Sequence, residues 1–277
     1  MRRGVGPRRI PRLALPGDLV AAPLARALQL KVGDVLGVTI KTWWKNFVPF
    51  AVMCLLVNAP VFLLRYWVGA PPSPFSTPPV RTSAEMSVMF ERLAREYIVI
   101  FAQMGLSLIA TGALTYGVLQ SLRQKPVRML ECLRMGFARL LPVLGTAVLV
   151  FLLIELGIML CIVPGIIFAC RYAVALPVAV IEKPGVSASL RRSRDLTMGN
   201  KANIFLLYFI VMMIQSGVGF VLVLLTLSMG LLGAMINLAF GVMIGGSMMG
   251  VLGAVLYHEL RRLKEGASID EIAKVFD

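Results

Sequence analysis

Pro164–Lys201 reads PGIIFACRYAVALPVAVIEKPGVSASLRRSRDLTMGNK. An apolar run carrying one arginine, Arg171, stops at Glu182-Lys183-Pro184-Gly185. A basic segment with Arg191, Arg192 and Arg194 follows, and after Gly199-Asn200 the chain turns apolar again. That is the pattern of a membrane span, an exit on a basic side, a surface helix and a re-entry. The rest of the chain repeats it with variations. Across 277 residues, 58% are hydrophobic and only 15% charged, with a mean hydropathy of +0.83. So few charges could not wet the surface of a soluble fold, and lipid is the expected solvent.

The net charge is +14. The basic residues lie in short segments between apolar runs, an arrangement that fits an anionic membrane leaflet, at about 1 kcal/mol per basic residue near the surface. Anionic lipid headgroups are therefore the expected partners, and nucleic acid is not expected. The four cysteines, Cys54, Cys132, Cys161 and Cys170, have no metal-ligand spacing and read as small apolar residues. The single histidine, His258, ends the last span. Neither a metal nor a cofactor is expected, and no nucleophile–base or paired-carboxylate pattern points to an enzyme.

Residues 1–28, rich in Arg, Pro and Gly, read as a disordered basic cytoplasmic tail, because Pro11, Pro16 and Asp18 interrupt what would be a signal-peptide core. Residues 29–258 read as one all-α membrane domain, and 259–277 as a cytoplasmic tail with a short helix opened by the capping box Ser268–Glu271. Six transmembrane helices are expected near 47–69, 97–121, 141–162, 166–182, 203–227 and 231–257. Amphipathic interfacial helices are expected from Val32, in 121–141 and in 186–198. The proline-rich segment APPSPFSTPPVR cannot be helical, and Thr82–Glu85 is a capping box opening the next helix. Uncharged turns are expected at Val163-Pro164-Gly165 and near Ser228-Met229-Gly230.

This layout gathers the Lys and Arg of the N-terminal segment, the second and fourth inter-span segments and the tail on one side. The other side keeps Arg81, Arg92 and Arg95, while Arg65 and Arg171 fall within spans. The positive-inside rule then places both termini in the cytoplasm of a cell (inner) membrane protein. Three units, starting near Val32, Val127 and Val186, share the plan of basic amphipathic segment, span, return and span. They imply a pseudo-threefold repeat of two-span units.

Two intramembrane charges stand out. A charge at the bilayer centre costs about 3 kcal/mol on the insertion scale. Measured from a turn at Pro164, Glu155 and Arg171 lie at similar depths of roughly 13 and 10 Å, so an antiparallel pair of helices would let them meet. The expected ion pair has two readings: a helix–helix clamp, or the lining of a polar route. In the glycine-dense last span, Gly241 with Gly245 and Gly246 with Gly250 have GxxxG spacing. They read as helix-packing positions within the bundle, with homo-oligomerisation as the second reading. Arg191, Arg192 and Arg194 are the expected headgroup contacts.

PGIIFACRYAVALPVAVIE and the following SLRRSRDLTMGNKANIF resemble the membrane domain associated with glycerophosphoryl diester phosphodiesterases and its stand-alone bacterial relatives of unknown function. LKVGDVLGVTIKTWWKNFVPF and YHELRRLKEG are similar to the same group. The resemblance spans about 30–266 and implies a helical multi-span domain. It implies no hydrolase activity, since the soluble catalytic domain with its metal-binding His and Glu residues is lacking. Asp195 stands where the group carries a bulky residue before Leu-Thr. The expectation is a non-enzymatic scaffold or accessory protein of the membrane. The alternative is a small transporter or channel using Glu155 and Arg171.

Overall fold

The computed structural model describes residues 30–69 and 82–266, and these are helical, with no strand among them. The basic tail 1–28, the proline-rich segment 70–81 and the Ser268–Glu271 box lie outside the described residues. Among the described residues eleven α-helices follow in order: α1 (Val32–Lys45), α2 (Phe47–Val68), α3 (Ser83–Leu122), α4 (Met129–Ala138), α5 (Leu140–Leu160), α6 (Ile162–Arg171), α7 (Ala175–Ile181), α8 (Val186–Thr197), α9 (Lys201–Thr226), α10 (Gly230–Phe240) and α11 (Ser247–Glu265). Five stretches are long and apolar enough to cross a membrane: Phe47–Val68, Glu85–Leu122, Leu140–Leu160, Ile162–Ile181 and Lys201–Glu265. The protein is an all-α, multi-pass membrane protein.

The fifth stretch folds back on itself. A 3-10 turn over Leu227–Met229 leads to Gly230 at φ 54°, a left-handed conformation that favours glycine. A Cβ on Gly219 would meet Phe240, and one on Gly245 would meet Gln215. Tyr208 lies beside Gly253. That descending register is that of two antiparallel helices. α10 passes through a π-helical segment, Gly241–Gly246, into α11.

The hairpin between α5 and α6 turns at Cys161, whose extended backbone separates the two helices. The sequence placed this turn at Val163–Gly165. Pro164 instead sits in the first turn of α6, where its missing N–H would have had no helical partner. Gly157 and Gly165 face each other there. A Cβ on Gly157 would lie 2.9 Å from the Gly165 Cα.

The Thr82–Glu85 capping box forms as the sequence predicts: Glu85 N–H donates to Thr82 Oγ1 at 3.2 Å and Thr82 N–H to the Glu85 carboxylate at 3.1 Å. At the other end, α11 runs on to Glu265 rather than ending at 258.

α1, α4 and α8 are each packed against the bundle. α1 buries Val35, Thr39 and Thr42, and Trp43 Nε1 donates to Ser247 Oγ of α11 at 2.8 Å, while Trp44 stays exposed. α4 lies against α3 so closely that a Cβ on Gly136 would stand 2.6 Å from the Ile109 carbonyl oxygen. α8 buries Ser189, Leu190, Ser193, Leu196 and Thr197. The fully buried core centres on α11, with Val251, Leu252, Val255, Leu256, Tyr257 and Leu260.

Candidate functional site

Glu155 and Arg171 are not brought together, which corrects the expected ion pair. Gly157 faces α6, and Glu155, two residues earlier, is rotated about 200° around α5 and exposed. With Gly157 level with Gly165, Glu155 is level with Ile167, and Arg171 lies a further turn along, about 6 Å away. The misplaced turn at Pro164 had made their depths similar. The Arg171 guanidinium instead sits 5.8 Å from the Tyr172 ring, with a buried Nε that has no partner.

What Arg171 does carry is a break. Residues 172–174 interrupt the fourth apolar stretch between α6 and α7. Inside a membrane the freed carbonyls need donors. Ser193 Oγ and Thr197 Oγ1 of α8 both donate to the Arg171 carbonyl, at 3.1 and 3.0 Å. Tyr208 OH of α9 donates to the Ala173 carbonyl at 3.4 Å. The small hydroxylated residues on the inner face of α8 are therefore caps for a broken helix.

The charges that do pair converge where α7 ends. Glu182 accepts from Arg192 Nε at 3.0 Å and from the buried Tyr257 hydroxyl at 2.7 Å, with Arg261 3.8 Å away. Glu265 pairs with Arg192 and, at 3.0 Å, with Arg261. Arg261 also donates to Tyr257 at 3.0 Å. Burial works against the Arg192 charge, but Glu182 and Glu265 outweigh it and raise its pKa above the ordinary value. Arg192 is thus tied into the bundle. Arg191 and Arg194 remain exposed, without an ion pair among the described residues. The sequence hid this cluster because Glu182 reads locally as part of a loop, and its partners come from two other helices.

Arg65, the other arginine within a span, pairs with Glu96 at 2.9 Å. Midway along the bundle lies a cavity of about 280 Å³. Its polar lining is Asn58 of α2, Gln103, Ser107 and Thr111 of α3, and Tyr208 of α9. The glycine-dense segment forms one wall. Gly241, Gly246 and Gly250 line the cavity, and a Cβ on Gly241 would have nothing within 4 Å. Of the four glycines expected to pack helices, Gly250 meets Leu114 side-on and Gly245 meets Gln215, whereas Gly241 and Gly246 leave space. Equally close glycine contacts lie at Gly136, Gly157 and Gly165. Among the described residues no three His, Cys, Asp or Glu side chains group as metal ligands. No protein-family model, curated protein or solved structure shows a significant match to the chain.

Proposed function

We propose that the protein is a non-enzymatic scaffold or accessory protein of the cell (inner) membrane, built from six crossings in three repeated two-span units. Both termini face the cytoplasm, and the basic face on that side engages anionic headgroups. The observation that carries this reading is the recurrence of one joint. Asn46, Arg139 and Asn200 each separate an amphipathic helix from an apolar one, with φ/ψ of −117/26°, −102/6° and −118/14°. The packing recurs as well. α4 lies on α3, α8 caps the break between α6 and α7, and α1 docks on α11, so each amphipathic helix meets the apolar stretch that precedes it in a closed ring of three units.

Two of the joints are hydrogen-bonded to neighbouring segments. Asn46 Nδ2 donates to Ser121 Oγ at 2.7 Å, Lys45 to Gln124 at 3.4 Å, and Leu30 N–H to Asn200 Oδ1 at 2.8 Å. One end of the bundle thus collects Arg191, Arg194 and their basic neighbours, as the positive-inside rule requires of a cytoplasmic face. The resemblance at residues 164–205 points the same way.

The test is thermal unfolding of the purified protein with added phosphatidylglycerol or phosphatidylcholine, for wild type and for Arg191→Gln/Arg194→Gln. Selective stabilisation by phosphatidylglycerol, lost in the variant and in high salt, is expected. Equal stabilisation of both proteins would remove the headgroup role. The second reading, a small transporter or channel, has the broken fourth stretch in its favour, since interrupted helices build the central sites of many transporters. Its route would run through the cavity rather than through Glu155 and Arg171.

A further inference from the structure

The cavity has a chemical bias. Among the described residues, no Lys, Arg, His, Asp or Glu lines it. Its hydroxyl hydrogens are already committed to backbone carbonyls: Ser107 Oγ donates to Met104 O at 2.7 Å, Thr111 Oγ1 to Ser107 O at 2.9 Å, and Tyr208 OH to Ala173 O at 3.4 Å. The two amides are ordered in series. Asn58 Nδ2 donates to Cys54 O at 2.8 Å, and Gln103 Nε2 donates to Asn58 Oδ1 at 3.0 Å. That chain ends on Gln103 Oε1, a buried acceptor with no partner. The hydroxyl oxygens present lone pairs, and the group left unsatisfied is also an acceptor. A buried acceptor without a donor costs about 1–3 kcal/mol, so this wall favours an occupant that brings a hydrogen to it. Ala110, Leu176, Val242 and Met249 supply apolar lining around the polar set.

We infer that the cavity is a binding site for an uncharged amphiphile that presents a hydroxyl or N–H donor to Gln103 Oε1 and an apolar body to the rest. Carboxylates and phosphates are disfavoured, because they bring only acceptors and meet no cation. The inference is independent of the scaffold reading and of headgroup binding at the basic face. Two sources share this chemistry, a small dissolved alcohol and a long-chain alcohol resident in the bilayer.

The test uses the full chain in nanodiscs and two isomers of equal size and polarity class, 1-hexanol and 1-methoxypentane. The readout is protection of the full chain from thermal unfolding, taken as the concentration of each compound that gives half of its maximal rise in apparent Tm. 1-Hexanol is expected to protect about tenfold better than its ether isomer, the value of one hydrogen bond. Gln103→Leu is expected to remove that preference while leaving the weak response to both. Gly246→Leu, whose side chain would enter the cavity, is expected to abolish protection altogether. Protection by 1-hexadecanol as well would assign the site to bilayer alcohols, and protection by 1-hexanol alone to dissolved ones. Equal protection by alcohol and ether in the wild type, or an undiminished alcohol preference in Gln103→Leu, would overturn the inference. The wild-type comparison decides the matter even where a variant fails to fold.

Discussion

Glu155 lies within the apolar stretch Leu140–Leu160 and Glu182 closes the next one, Ile162–Ile181, yet they meet opposite fates. Glu155 projects from α5 with no ion pair among the described residues, on the side turned away from α6. Glu182 ends α7 among Arg192, Tyr257 and Arg261, drawn from two other helices. The α5–α6 hairpin is closed by glycines, Gly157 against Gly165, and needs no charge to hold it. The α7–α8–α11 junction joins three helix ends whose backbone and side-chain polar groups must be satisfied together. The difference teaches that charge is structural in this molecule where helices end, and not where they merely pass one another.

The largest expected effect follows from that contrast. Glu182→Gln leaves Arg192 and Arg261 with fewer acceptors and takes a charged partner from the Tyr257 hydroxyl. The side chains are only partly exposed, so the loss should exceed that of a surface ion pair, at about 2–3 kcal/mol. It should appear as the largest fall in apparent Tm in detergent within this set. A fall no greater than that of Glu155→Gln would erase the distinction between the two regions.

Next come the glycines. Gly136→Ala sets a Cβ 2.6 Å from the Ile109 carbonyl oxygen, a backbone atom that cannot rotate away. Overpacking of this kind costs about 1–3 kcal/mol. Gly241→Ala adds a methyl to open space and should leave Tm nearly unchanged or raise it. If the two variants behave alike, the GxxxG spacing of the last span, and not the α3–α4 contact, is the packing seam.

These contrasts mark what could be read from the sequence. The apolar stretches, the Thr82–Glu85 capping box and the reversal at Gly230 were legible because each depends on residues within one turn or one helix. The three joints were also visible, as Lys45-Asn46-Phe47, Arg139-Leu140 and Gly199-Asn200-Lys201. The Glu182 cluster was not legible, since Tyr257, Arg261 and Glu265 are brought to it by tertiary packing. The Glu155–Arg171 error has a single cause. Moving one turn from Pro164 to Cys161 shifts the pairing of the two helices by about six residues, roughly 9 Å. The Ser193 and Thr197 hydroxyls looked like the polar face of a surface helix, and only the break at residues 172–174 gives them their role.

The double-mutant cycle of Glu155→Gln and Arg171→Gln tests the same contrast at smaller amplitude. Without contact between the two residues, their effects should add to within about 0.5 kcal/mol. A coupling well beyond that would mean the side chains do meet. Arg192→Gln with Glu265→Gln should by contrast couple clearly, because these two are paired.

The smallest effect concerns an ion pair of the same type in a more open place. Glu131 pairs with Arg128 at 2.9 Å in the first turn of α4, and Gln120 donates to its other oxygen at 3.2 Å. The Arg128 hydrogen bond, against a smaller opposing effect of burial, lowers the Glu131 pKa below the ordinary carboxylate value. A lowered carboxylate contributes stability that is present above its ordinary pKa and is lost as pH falls through the folded value. Stability should therefore decline slightly on acidification across that interval, and Glu131→Gln should flatten that part of the profile without moving the neutral-pH Tm by more than a surface substitution does. Both side chains are far more exposed than Arg192 and Glu182, so solvent screens this pair most. An acid response at Glu131 as large as the loss in Glu182→Gln would show that helix-end charges matter equally wherever they lie, and that burial at the α7–α8–α11 junction adds nothing.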